Sequence, residues 1–61
     1  MHTRQLQSFE DAVQYMEERG ELSFHGRAGR DYEYCVYTIK LFSGKRYRVN
    51  IYDDGKVEVF R

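Results

Sequence analysis

The side chains that could do covalent or metal chemistry are few and scattered. His2 and His25 are the only histidines and Cys35 the only cysteine. None is spaced from another in the short paired steps by which zinc sites gather their ligands. Cys35 falls on the apolar phase of its segment, which reads as a small buried hydrophobe. A nucleophilic thiolate needs an exposed, electropositive setting instead. Gly26-Arg27-Ala28-Gly29 loosely suggests a phosphate-cradling loop, but no Lys-Ser/Thr pair follows it and no helix N-terminus is placed to hold the anion. Asp53 and Asp54 stand before Gly55 as turn formers, with no second acidic cluster to support general acid or base work. These residues predict no enzyme, no metal, no cofactor and no small-molecule substrate. What remains is recognition, carried by ten aromatic side chains and ten Lys or Arg.

Sixty-one residues allow one domain, spanning 1–61. A chain this short buries only about 60% of its unfolded surface, so its stability is marginal and a partner or self-association helps it. A hydrophobic content of 41% is too high for a disordered chain. The absence of proline and the spread of the five glycines leave no linker or repeat. With a lone cysteine no internal disulfide forms, and no leader-like or membrane-length apolar run is present, so a cytoplasmic location is expected. The net charge is zero but uneven: residues 1–22 carry five acids against Arg4 and Arg19, while residues 23–61 carry eight bases against five acids.

The elements that must position any recognition surface can be read from periodicity. Ser8 is a helix N-cap, Glu10 and Asp11 complement the first-turn dipole, and Gly20 stands where a C′ glycine would, predicting a helix over 9–19. Phe9, Ala12, Val13 and Met16 form its apolar stripe, and Leu6 precedes the cap within reach of the first turn, although off the N′ to N4 spacing of a staple. Beyond residue 20 the period becomes two. Strands are expected over 32–42, 46–52 and 56–60, with a weaker one over 21–25 ahead of a turn at 26–30. The odd positions from Cys35 through Val59 share the apolar face. A three-residue loop at Asp53-Asp54-Gly55 pairs Ile51 with Val57 and Val49 with Val59; a loop at Ser43-Gly44-Lys45 pairs Ile39 with Val49 and Lys40 with Arg48. The expected fold is α+β in two layers, one N-terminal helix on a three- to four-stranded antiparallel meander.

One helix leaves the other sheet face bare. That face presents Tyr34, Val36, Lys40, Arg46, Arg48, Tyr52, Lys56 and Phe60, a mixture of aromatic anchors and cations that predicts a binding surface. The favoured partner is a protein, or a second copy of the chain in a homodimer, held by Tyr34, Val36, Tyr52 and Phe60 within a rim of Lys40, Arg48 and Lys56. The alternative is a nucleic acid, its bases stacked on the sheet aromatics and its phosphates met by Lys40, Lys45, Arg46 and Arg48. Zero net charge and an acidic helix weigh against a polyanion.

Overall fold

A computed structural model describes residues 2–61. Ser8 starts the helix: its backbone is extended (φ −150°, ψ 167°) and its hydroxyl accepts the Asp11 N–H at 3.1 Å. Helix α1 spans Phe9–Glu17, with Glu10 and Asp11 in the first turn and Ala12 and Met16 buried. It is two residues shorter than expected. Glu18 caps it in a right-handed conformation, and Gly20 is no C′ glycine but the first residue of a strand. A Cβ on Gly20 would run into the Lys40 carbonyl oxygen, so this glycine serves a close approach of two strands and not a left-handed turn.

Five strands form one antiparallel sheet: β1 (His2–Gln5), β2 (Gly20–Ala28), β3 (Tyr34–Leu41), β4 (Arg46–Tyr52) and β5 (Lys56–Phe60), in the spatial order β1-β5-β4-β3-β2. The expected meander is β2 to β5. Strand β1 is an addition, laid beside β5 in the register His2↔Val59 to Gln5↔Lys56. Ile39, Val49, Ile51 and Val57 are fully buried and meet Ala12 and Met16, with Leu6, Phe9 and Leu22 packed around them. Each such side chain contributes about 1.5 to 3 kcal/mol of burial. Cys35 is buried beside this core, as its strand parity predicts.

Two hairpins share one turn chemistry. Gly44 donates to the Leu41 carbonyl at 2.8 Å and Gly55 to the Tyr52 carbonyl at 3.0 Å, with φ of +98° and +95°. Each glycine is the third loop residue, in a conformation that costs other residues about 1 to 2 kcal/mol. The second loop is therefore Asp53-Asp54-Gly55 as expected, and Ile51↔Val57 and Val49↔Val59 pair. The first is Phe42-Ser43-Gly44, one residue earlier than expected, closed by Leu41 N–H to the Lys45 carbonyl at 2.8 Å. Across β3 and β4 the register moves by two residues: Tyr37 faces Val49, Ile39 faces Tyr47 and Lys40 faces Arg46. A shift of two keeps every side chain on its face, so the buried parity survives although the pairs change.

Strand β2 runs past the expected end at 25 to Ala28. It pairs Leu22↔Ile39 and Phe24↔Tyr37, bulges at His25, then resumes with Gly26↔Val36 and Arg27↔Cys35. Gly26, at φ +141°, accommodates the extra residue. The bulge reverses which positions face the helix, so Arg27 turns toward Cys35, its Nη1 3.2 Å from Sγ. The loop to β3 covers 29–33, which makes the expected strand start at residue 32 too early. Tyr32 there has φ +54°, and its carbonyl accepts both Nε and Nη2 of Arg27.

The 53–55 turn is tied from several sides. Arg27 Nη2 lies 2.8 Å from both Asp53 carboxylate oxygens, a pairing that holds the guanidinium more firmly protonated, and Asp53 N–H donates to the Glu33 carbonyl at 3.1 Å. Gln5 Nε2 donates to the Asp54 carbonyl at 3.0 Å and Leu6 N–H to the Gly55 carbonyl at 2.9 Å. Gln5, Leu6, Arg27 and Glu33 thereby fasten one end of the sheet.

Candidate functional site

The sheet face away from α1 is built by the even positions of β3, β4 and β5. Tyr34 stands opposite Tyr52, Val36 opposite Asn50 and Thr38 opposite Arg48, while Arg48 also faces Phe60 and Asn50 faces Glu58. All eight expected binding residues, Tyr34, Val36, Lys40, Arg46, Arg48, Tyr52, Lys56 and Phe60, lie on this one face. They do not behave alike.

Toward the fastened end the face is knitted together. The Tyr34 and Tyr52 rings are tilted at 4.9 Å, Tyr52 Oη donates to Glu58 Oε1 at 2.8 Å, and Lys56 Nζ lies 3.7 Å from Glu58 Oε2 and 4.7 Å from the Tyr52 ring. The hydrogen bond to Glu58 pushes the Tyr52 phenol up to about 12, because ionising it would set a phenolate beside a carboxylate. Asn50, 3% exposed, accepts Arg48 Nε at 3.3 Å, and His25 Nε2 lies 2.7 Å from Thr38 Oγ1. Tyr34, Val36, Tyr52 and Lys56 are half-buried here, and the Tyr52 hydroxyl and Lys56 ammonium are both engaged by Glu58.

Toward the other end the face is open. Lys40, Arg46 and Arg48 are exposed, and Phe60 lies beneath the Arg48 guanidinium at 5.4 Å. The like-charged pair expected at Lys40 and Arg48 is in fact Lys40 and Arg46, because the first turn closes one residue earlier. Glu21 of β2 stands on the other side of Lys40. Among the described residues the ion pairs are Arg19–Glu18, Arg27–Asp53 and Lys56–Glu58, so Lys40, Arg46 and Arg48 engage no carboxylate.

No family model, curated protein or solved structure matches this chain.

Among the described residues no three His, Cys, Asp or Glu gather as a metal site, and no helix is long and apolar enough to cross a membrane. On the helix side of the sheet lies a feature that sequence reasoning missed. A groove of about 490 Å3 has Met16, Ile39, Leu41 and Val59 as its floor and Tyr15 and Tyr47 as its walls. Phe42 and Ser43 stand at its lip, and His2, Arg19 and Arg61 at its rim. The signals were present but weak: Tyr15 lies off the helix stripe, and Phe42 is an aromatic residue at a turn position, 78% exposed.

Proposed function

We propose that this protein is a small non-enzymatic binding module that engages a protein partner through the open end of its bare sheet face. The supporting observation is the Lys40, Arg46, Arg48 and Phe60 cluster, in which an aromatic side chain stacked under an arginine sits among cations without carboxylate partners. Arginine and aromatic residues dominate interface energetics, and uncovered cations of one sign favour an acidic partner surface. Tyr34, Tyr52 and Lys56 then act as the rigid base of the surface, since their contacts are already made within the sheet, with Val36 half-buried beside them. In place of a partner of different sequence, a second copy of the chain could occupy this face.

Capture from cells with the wild-type chain, a Phe60→Ser/Arg48→Glu variant and an Arg30→Glu control tests the reading. The expected result is a defined partner retained by the control and lost by the double variant, with unchanged circular dichroism. The same captured set for all three overturns it. The cluster of Lys40, Lys45 and Arg46 at one hairpin end favours a second reading, a nucleic acid. Gel filtration with light scattering, with and without an oligonucleotide at two salt concentrations, separates that complex and a homodimer from the free chain.

A further inference from the structure

The groove beside α1 exists because the helix is too short for the sheet beneath it. Nine residues of helix span roughly 13 Å, whereas the eight of β3 span roughly 26 Å. The core positions beyond Met16 are thus roofed only in part, and the apolar floor of Leu41 and Val59 continues past the helix end. A volume of about 490 Å3 accommodates one or two bulky side chains.

The charged side chains of the rim have one sign. Arg19 stacks on Tyr15 with its guanidinium carbon 3.5 Å from the ring centroid, and its Nη1 donates to the Tyr15 carbonyl at 2.6 Å. Arg61 lies 5.4 Å over Tyr47, so each aromatic wall carries an arginine. His2 also lines the groove, and the lining includes no acidic side chain. The nearest carboxylate to Arg19 is Glu18 at 3.9 Å, with both side chains about half exposed. An arginine stacked on an aromatic ring keeps its outward edge free to hold a carboxylate in a fixed geometry.

We propose that this groove receives an extended acidic segment of another protein, which inserts one bulky apolar side chain onto Leu41 and Val59 and places flanking carboxylates against Arg19 and Arg61. A symmetric second copy is disfavoured, because a two-fold contact through the groove would bring two basic rims together. The acidic outer face of α1 in a second copy could reach the groove only head to tail, a contact that does not close on itself. A small amphipathic acid would lie in an open trough and leave much of its surface wet, whereas ligand sites for small molecules enclose most of theirs. The inference stands apart from the reading of the open sheet face, since the two surfaces are on opposite sides of the sheet and can be altered separately.

Selection of a random dodecapeptide phage library on the immobilised protein tests it. Peptides carrying Asp or Glu on both sides of an aromatic or large aliphatic residue are expected to enrich. Their affinity should fall roughly tenfold or more, about 1.4 kcal/mol, with Phe42→Ser or Arg19→Glu and remain with Arg30→Glu. Phe42 and Arg19 are exposed, so both variants should fold, with the melting temperature as the check. Enrichment without acidic bias, or binding indifferent to both groove variants, overturns the proposal. So does saturable uptake of decanoate without peptide enrichment, or a concentration-dependent dimer abolished by Phe42→Ser, since each names a different occupant.

Discussion

The two glycine-closed turns of the sheet have the same local geometry and opposite surroundings. Gly44 and Gly55 differ by only 3° in φ and make the same hydrogen bond to the residue three before them. A Cβ on Gly44 would meet nothing within 4 Å, whereas one on Gly55 would lie 2.6 Å from the Leu6 carbonyl oxygen. Around Gly55 the 53–55 turn is held by Gln5, Leu6, Arg27 and Glu33; beside Gly44 stand the exposed Phe42, Lys45 and Arg46. One end of the sheet spends its polar groups on itself and the other leaves them outward. The difference teaches where to look for function in a chain this small. Both candidate surfaces, the cation and Phe60 cluster and the groove beside α1, lie at the end that structural contacts leave free.

This contrast can be broken by mutation. The largest effect is expected from Ile51→Ala, which removes a fully buried side chain between Cys35 and Val57 near the fastened end. A loss of about 2 to 5 kcal/mol would unfold a chain of marginal stability. A variant melting near the wild-type temperature would show that the stability does not reside there. Next come Gly55→Ala and Gly44→Ala as a pair. Both should lose about 1 to 2 kcal/mol from the left-handed backbone, and the Gly55 variant more, through its collision with Leu6. Equal urea midpoints for the two would remove that contact from the account.

A smaller effect concerns pH. Tyr52 keeps its proton longer in the folded chain, to about 12, than the ordinary 10 of an unfolded tyrosine. Its contribution to stability is fully present below pH 10 and fades as the pH rises toward 12. Tyr52→Phe should flatten this part of the stability profile, and an unchanged profile would mean that the bond to Glu58 does not persist in solution. The smallest effect belongs to the free end: Phe42→Ser should change stability by no more than about 0.5 kcal/mol. A large loss on calorimetry would show that Phe42 belongs to the packing and would close the difference between the two ends.

Much of this architecture was legible in the residues, for stated physical reasons. The Ser8 cap, the Ala12 and Met16 stripe and the odd parity of Ile39, Val49, Ile51 and Val57 are strong local or periodic signals, and each appears in the fold. Strand β1 was not legible, because His-Thr-Arg-Gln has no apolar alternation and only Thr3 as a strand former, and it is held by pairing with β5. Gly20 is ambiguous in the sequence because a helix C′ and a close strand pairing both select glycine. The first hairpin was placed one residue late, although Gly44, like Gly55, belongs at the third loop position; parity alone does not detect a shift of two. The eight residues expected to bind do share one face, as their strand parity implies. Their division into a knitted half and an open half depended on side-chain partners such as Tyr52 and Glu58, which spacing does not reveal. The groove depended on the helix ending at Glu17 and not at residue 19.

The sheet order has a kinetic consequence. Strands β2 to β5 join nearest neighbours, so that part of the sheet can zip from its turns with little loop entropy to overcome. Strand β1 must instead find β5 across nearly the whole chain, His2 meeting Val59, and all four of its residues are exposed. It should join last and detach first. Native-state hydrogen exchange would see its amides open in a subglobal step well below global unfolding, releasing the Leu6 tie to Gly55 and leaving β5 briefly as a new edge. In the intact molecule, the first four described residues act as a latch on the last strand.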